Sequence, residues 1–402
     1  EGAVGYEIRR TSPYSTWESV GEVGAENTEF VDTGLTSGTV YTYTVRAFNN
    51  YGISLYDAVG VTCEYVEKPV VTSLKNAVGG VEVKWSETLG ADFYIILRRQ
   101  AGETEWKEIA KRTYSAGTAY KDTTVVDGVT YEYDVNSATD SFTSVTSDLG
   151  MNITYIASPG INSVSNTLKG IEIKWNAHPN ATHYIVYRKA VGVDSQLLEY
   201  AQTSKNSFTD NNVTAGKPYT YSVKACTNSG DSAYSVTGYT ITRVPPTEVT
   251  ALSLERNAVK VEWKGITGVT GYSIYRKNST ESTWTKVGTV DGGTLAFSDT
   301  SAVSGTEYVY AVCPMISVSE GAKVTSQPIY FIKAPENTAA ENLIEGIKVT
   351  WLNVKGATNY EVMRADLNGD VVKIADVSAT DSLEYIDTDV VLRSYIWRRR
   401  NF

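Results

Sequence analysis

The sequence predicts an all-β chain of tandem antiparallel two-layer sandwiches, and three observations carry that reading. The first is self-similarity at a period of 88 to 90 residues. A tryptophan is followed nine residues later by a tyrosine, as Trp85–Tyr94, Trp175–Tyr184, Trp263–Tyr272 and Trp351–Tyr360. A fixed period of this kind sets the architecture before any single residue does. The second is strict alternation of aliphatic and polar residues before each tryptophan, the period of a strand with one buried face. The third is a succession of short strand patterns and turn signals with no sustained helical period, which suits a sandwich.

The elements follow in order along each period. The alternating strand carries Val81, Val83 and Trp85, and again Ile171, Ile173 and Trp175, Val259, Val261 and Trp263, and Ile347, Val349 and Trp351. Its other face, with Glu82, Lys84, Glu172 and Lys174, turns to solvent. The next strand carries Tyr6, Ile8 and Arg10, then Tyr94, Ile96 and Arg98, Tyr184, Val186 and Arg188, Tyr272, Ile274 and Arg276, and Tyr360, Val362 and Arg364. A polar turn with Gly102, Asn278 or Asn368 and Gly369 leads in three segments to a second tryptophan, Trp17, Trp106 or Trp284. An aromatic two positions before an aspartate comes next: Phe30 and Asp32, Tyr120 and Asp122, Phe208 and Asp210, Phe297 and Asp299, Tyr385 and Asp387. An Asp that ends a strand and bonds its own turn accounts for that pattern. Nine residues on stand Tyr41, Tyr131, Tyr219 and Tyr308, each three residues after Gly38, Gly128, Gly216 or Gly305. Each opens a further strand, such as Tyr41, Tyr43 and Val45, and the glycine suits the tight turn before it. The predicted core residues are Trp85, Tyr94, Tyr131, Trp175, Tyr184, Tyr219, Trp263, Tyr272, Tyr308, Trp351 and Tyr360. Pro69, Pro159, Pro245, Pro246 and Pro335 fall between segments, where a missing donor and a stiff φ suit a join.

With these residues in view, the repeat resembles the fibronectin type III module. The family's pattern is present as Leu35, Gly38, Tyr41, Val45 and Ala47, continuing into Asn49, Gly52 and Ser54. The third segment matches through Tyr219, Val223, Ala225 and Gly230, whereas the second and fourth carry Ser137 and Cys313 in place of the alanine. The resemblance implies immunoglobulin-like sandwiches, three complete and two truncated. The expected modules are a partial one at 1–66 without strands A and B, complete ones at 67–156, 157–244 and 245–334, and a partial one at 335–402 without the last strands. Strands of eight or nine residues would give roughly 30 Å per module and a rod on the order of 130 Å. The short polar turns are more similar to modules of secreted or cell-surface bacterial proteins, which flank glycoside hydrolases, cell-wall enzymes or adhesins. The expected role is a non-catalytic extracellular spacer or scaffold in a larger bacterial protein. The alternatives are a carbohydrate-binding or adhesion array, or an accessory region of a glycoside or cell-wall hydrolase.

The two ends break the pattern. Counting back nine residues from Tyr6 places the expected tryptophan upstream of Glu1. Beyond Asp387, Arg393 and Ser394 stand where the turn glycine belongs, and Arg399 falls where Val45 or Val223 would be buried. A desolvated arginine there is costly. Residues 392–402 are therefore expected not to form a native strand, a truncated or frame-shifted reading being favoured over a basic tail.

Composition narrows function by exclusion. A chain of 402 residues is too long for one core, and its 42% hydrophobic and 20% charged content suits a folded protein. A net charge of −10 argues against general nucleic-acid binding. No apolar run reaches the roughly 20 residues of a membrane helix, so no membrane insertion is expected of this segment. Cys63, Cys226 and Cys313 are isolated and read as small buried hydrophobes. His178 and His183 read as a solvated loop, and nothing near them suggests a nucleophile or a zinc site. Asp366 to Asp370 resembles the start of a calcium loop but reads as an Asn-Gly hairpin. The loop from Asn228 to Ser232 has Ser229 where an integrin motif needs arginine. No catalytic, cofactor or metal residues are expected. Trp17, Trp106 and Trp284 are the candidates for stacking on sugars, the alternative being packing near a sheet edge with the Arg of the preceding strand over the ring. The candidate partners are a polysaccharide or another surface protein, and the chain is expected to be monomeric.

Overall fold

The computed structural model describes residues 2–147, 149–336, 339–365 and 368–390. Among the described residues the regular structure is strand, apart from one 3-10 turn at Tyr114–Ala116. Four separate apolar cores follow one another, over 71–157, 161–241, 249–331 and 349–385.

The third unit shows the plan. Its strands are A (Ile161–Asn166), B (Ile171–Trp175), C (His183–Ala190), C′ (Leu198–Thr203), E (Ser207–Asp210), F (Pro218–Thr227) and G (Tyr239–Thr242). A, B and E form one antiparallel sheet in the order A-B-E, while C′, C, F and G form the other. Alternation along B sends Ile171, Ile173 and Trp175 inward against Tyr184, Val186, Tyr221 and Val223 of the facing sheet. The second unit repeats the order with B at Gly80–Trp85, C at Phe93–Gln100, E at Ala119–Asp122 and F at Thr130–Ala138. The fourth does so with B at Ala258–Trp263, C at Gly271–Asn278, E at Ala296–Asp299 and F at Thr306–Ile316.

Each B-strand indole packs edge-on or tilted against the C-strand tyrosine nine residues later, with ring centroids 5.4 Å apart in the three complete units and 5.5 Å in the fifth. Those four indole N–H groups have no hydrogen-bond partner, so the side chains serve the core by packing alone. The tyrosine tips, by contrast, are tied. Tyr94, Tyr184, Tyr272 and Tyr360 accept the amides of Thr88, His178, Ile266 and Val354. Tyr41, Tyr131, Tyr219 and Tyr308 accept amides five residues upstream, fixing the E–F corner. The pairing of C with C′ slips by one residue at the same place in all five units, just after Ile8, Ile96, Val186, Ile274 and Val362. The extra C′ residue turns inward there, as Ile109, Val287 and Ile374 do.

Among the described residues the end units show only part of the plan. The first has C (Gly5–Thr11), C′ (Glu18–Gly24), F (Thr39–Asn49) and G (Val61–Tyr65) but no facing sheet. Its Phe30 to Asp32 carries the E motif yet is not a strand; E pairs with B in every other unit, and no described residue pairs with 30–32 here. The fifth has A, B and E (Ala339–Leu343, Gly346–Thr350, Glu384–Asp387) with a C–C′ hairpin (Asn359–Ala365, Val371–Ser378). The expectation for 392–402 lies outside the described residues.

Candidate functional site

The charged signature of the repeat assembles into one buried constellation per unit. In the second unit Asp122 ends strand E, Arg98 comes from C and Tyr133 from F. Asp122 Oδ1 accepts the Thr124 amide and hydroxyl at 2.9 and 2.7 Å, and Oδ2 accepts Arg98 Nη1 and the Tyr133 hydroxyl at 2.6 and 2.8 Å. The fourth unit repeats this with Asp299, Ser301, Arg276 and Tyr310. In the third, Asn212 offers only its amide to Asp210, and the Tyr200 hydroxyl at the C′ bulge takes the vacant acceptor position at 2.9 Å. Burial pushes the Asp122 carboxyl up, but the Thr124, Tyr133 and Arg98 bonds outweigh it and hold the group below its ordinary value. Burial, with the neighbouring carboxylate, raises Tyr133, Tyr221 and Tyr310 well above the usual phenol range. A carboxylate with both oxygens filled and a tyrosine held protonated form a structural lock with no group free to move a proton.

The arginines of the Tyr-x-aliphatic-x-Arg signature lie elsewhere than over the second tryptophan. Arg98, Arg188 and Arg276 lie over the corner tyrosines Tyr131, Tyr219 and Tyr308, at 4.7, 5.5 and 4.6 Å. It is the next residue that covers the second tryptophan: Arg99 lies 4.3 Å over Trp106, and Lys277 5.4 Å over Trp284. Trp106 also donates its indole N–H to the Ser147 carbonyl at 3.1 Å. Trp17 is 37% exposed, and its carbonyl accepts Arg9 Nη2.

A second set of polar residues sits between units, and the sequence reading did not single it out. Ser37 accepts the Glu67 amide from the linker and donates to the Leu89 carbonyl of the next unit at 2.6 Å. Ser304 repeats the arrangement with the Lys333 amide and the Lys355 carbonyl. Asp127 takes the same place, accepting the Ala157 amide at 2.8 Å and contacting His178 Nε2 at 3.0 Å. His178 is thus buried and bonded rather than solvated, and His183 opens strand C. The glycines after these residues have φ near +76° (Gly38 and Gly305), and their backbones press against Gly90 and Gly356 of the following unit. The remaining position of the series, in the third unit, is Ala215, which has no such group. That joint uses Asn166, whose Nδ2 donates to the Glu320 carbonyl of the fourth unit at 3.0 Å, and Ser319 of the fourth unit, whose hydroxyl accepts the Thr242 amide at 3.1 Å. Asn76 does the same toward Asp231, so the loop compared above with an integrin motif is engaged at a joint. The legible signals were the doublets Ser37–Gly38, Asp127–Gly128 and Ser304–Gly305, and asparagines 90 residues apart.

Cys226 and Cys313 are buried with thiols pushed up to about 11, chiefly by burial, whereas Cys63 is exposed, contrary to its reading as a buried hydrophobe. Among the described residues no cluster of three or more His, Cys, Asp or Glu could hold a metal ion, and no helix is long and apolar enough to cross a membrane.

An A-B-E sheet facing C′-C-F-G, a B-strand tryptophan, a C-strand tyrosine and the tyrosine corner now stand together in each complete unit. The chain has the fold of tandem fibronectin type III-like β-sandwiches. No protein-family model matches the chain. The array is 28% identical to exoglucanase B of Cellulomonas fimi over 301 residues, covering 66% of this chain and 27% of that protein. It is 24% identical to the amylopullulanase of Thermoanaerobacterium saccharolyticum over 350 residues, covering 73% of this chain and 27% of that protein. The chain thus spans about a quarter of the length of the curated relatives it matches. Among solved structures it is similar to the FN1–FN3 domains of chicken CNTN1 at 18% identity, covering 67% of this chain and 97% of that one with a TM-score of 0.27. A two-module segment of chicken tenascin is similar at 19% identity, covering 43% and 99% with a TM-score of 0.22.

Proposed function

We propose that this array is a non-catalytic accessory region of a secreted bacterial carbohydrate-degrading enzyme, a spacer built of modules at 67–156, 157–244 and 245–334 between the partial ones. One observation carries the reading: the same repeat is shared with two proteins named for different activities, an exoglucanase and an amylopullulanase. A region common to both is not where substrate choice is made. Two further features support it. The recurring carboxylates have filled acceptor positions, and the joints are cross-bonded between units, which suits a part that holds distance and orientation.

The test uses the full chain with insoluble cellulose and with starch granules. The spacer reading expects the protein to stay in the supernatant and to release no reducing sugar. Release of sugar overturns the non-catalytic reading. Retention that falls when Trp17, Trp106 and Trp284 are changed to Ala replaces the spacer with a carbohydrate-binding array.

A further inference from the structure

One buried amide joins strand A of the third unit to three other segments. Asn166 lies at the end of that strand, paired with Ile171 of B, and is 8% exposed. Its Nδ2 donates to the Thr242 carbonyl of its own G strand at 2.9 Å and to the Glu320 carbonyl, in the turn after strand F of the fourth unit, at 3.0 Å. Its Oδ1 accepts the Val244 amide of the linker at 3.0 Å. Both protons and the oxygen of one planar group are thereby used, on the G strand, the linker and the next unit at once. The fourth unit adds Ser319, whose hydroxyl accepts the Thr242 amide at 3.1 Å.

The turn that Asn166 meets is shaped for the contact. Ser317 holds φ at +54°, alone among the described non-glycine residues in that region. Such a conformation persists where the surroundings fix it. Gly321 lets the turn reach the linker, because a Cβ there would lie 2.9 Å from the Pro245 carbonyl oxygen. The second unit repeats the amide. Asn76 Nδ2 donates to the carbonyls of Thr154 in its own unit and Asp231 in the third, both at 3.0 Å, and its Oδ1 accepts the Ile156 amide at 3.4 Å. Strand A itself does not need the group. At the same register in the fourth unit stands Leu254, paired with Val259 and 52% exposed, and that strand forms as well. An amide that strand A can replace with leucine owes its place to the bonds it makes outside the strand.

We propose that Asn76 and Asn166 are positioning residues that fix the angle between successive units, so that the second, third and fourth units move as one stiff body. The joint of the third and fourth units shows the clamp by itself, since Ala215 stands where the others have Ser37, Asp127 or Ser304. Two bonds cross that joint from different strands, Asn166 of A to Glu320 and Thr242 of G to Ser319. A tilt or twist about one of them lengthens the other, and hydrogen bonds weaken steeply away from their preferred geometry. The inference deepens the spacer reading, and the two fail separately: retention on cellulose or starch ends the spacer role and leaves the stiffness as it is.

The test reads the angle directly. Spin labels are placed at Lys174→Cys and Lys260→Cys in the full chain, with Cys63→Ser to remove the exposed thiol. Asn166→Leu imports the residue that strand A of the fourth unit already carries. It is expected to broaden the distance distribution between the labels and to quicken amide exchange at Val244 at least about tenfold, while exchange along Ile171–Trp175 stays as in the parent. Labels at Lys84→Cys and Lys174→Cys should report the same broadening across the preceding joint in Asn76→Leu and none in Asn166→Leu. A distribution as narrow as the parent's in either leucine variant overturns the proposal. So does broadening accompanied by faster exchange along Ile171–Trp175, which makes Asn166 a support of strand A alone. Should Asn166→Leu fail to fold, Asn166→Asp decides. It keeps the acceptor for Val244 and loses both donors, so the same broadening is expected, and an unchanged distribution overturns the proposal.

Discussion

The first and third units share their C- and F-strand residues almost position for position, yet one encloses a core and the other does not. Tyr184, Val186, Tyr221 and Val223 are buried under Ile171, Ile173 and Trp175, whereas Tyr6 and Tyr43 are half-buried and Val45 is exposed beside an open groove. The polar lock behaves differently. Arg10, Asp32 and Tyr43 are joined in the half unit as Arg188, Asp210 and Tyr221 are in the complete one. The lock thus depends on C, F and the E–F corner alone, while the core depends on the A-B-E layer. Two kinds of stabilisation that look inseparable in a complete module are separated in the described residues of the first unit.

The largest expected effect follows from removing the cover where it exists. Trp175→Ala should cost the third unit about 3–5 kcal/mol, because a fully buried indole leaves a cavity its neighbours close only in part. Against a total of roughly 5–15 kcal/mol for such a domain, that brings it close to unfolding. Short of unfolding, amide exchange at Ser207–Asp210 should quicken toward that of 28–32 in the first unit. If exchange there is unchanged, the A-B-E layer is not what orders strand E, and the comparison of the two units fails.

The lock comes next. Asp122 is buried, and Asp122→Ala strands Arg98 and Tyr133 together. Arg98 keeps a fifth of its side chain in solvent, so the loss should be about 3 kcal/mol, at the low end for a broken buried pair. In the half unit the same change should cost less, about 1 kcal/mol, since Arg10 also holds Glu18 at 2.6 Å and remains paired. Denaturant melts followed unit by unit by amide exchange give both numbers. Equal losses would mean the second carboxylate contributes nothing.

Acid probes the same group without mutation. The Asp122 carboxyl in the folded protein lies below its unfolded value of 3.8. Its contribution is therefore present above the unfolded value and is lost as pH falls from there through the depressed folded value, because the unfolded carboxyl takes up a proton more readily than the folded one. The melting temperature of the second unit should hold from pH 7 to pH 5 and fall below pH 4, and Asp122→Asn should flatten that fall. A fall as steep in the Asp122→Asn variant as in the parent would place the acid sensitivity elsewhere.

What the sequence made legible follows the range of each interaction. Strand B was readable because period-two alternation is local, and so were the C-strand tyrosine and the corner glycine. The link from Arg98 to Asp122 was not, because it spans 24 residues and exists only once C and E are brought to one end of the sandwich. Phe30 to Asp32 shows the reverse limit. The motif is intact, but its strand state depends on pairing with a B strand, which no described residue supplies to 30–32, so local pattern alone overstates it. His178 read as solvent-facing because its own loop is polar. What buries it is Asp127, 51 residues earlier in another unit. The joint residues were visible as Ser-Gly and Asp-Gly doublets but indistinguishable from turn chemistry without the neighbouring unit.

The joints extend the comparison from within units to between them, with the smallest expected effect. Asp127 Oδ1 accepts the Ala157 amide, and it also meets His178 Nε2, while His178 Nδ1 accepts the Asn180 amide at 3.3 Å. With Nδ1 occupied as an acceptor, the neutral ring donates from Nε2, so Asp127→Ala leaves a buried N–H without its partner. The cost should be about 1 kcal/mol, and it should fall on the joint, not on either core. The chain holds its own control. At the joint of the third and fourth units the equivalent residue is already Ala215, and Asn166 and Ser319 carry the contact instead. Spin labels on the second and third units should therefore report a broader distance distribution in Asp127→Ala, with both melting temperatures unmoved, while labels across the next joint report no change. A distribution as narrow as the parent's would shift the load to Asn76 and the Asp231 carbonyl, and Asn76→Ala would then be the change that frees the joint.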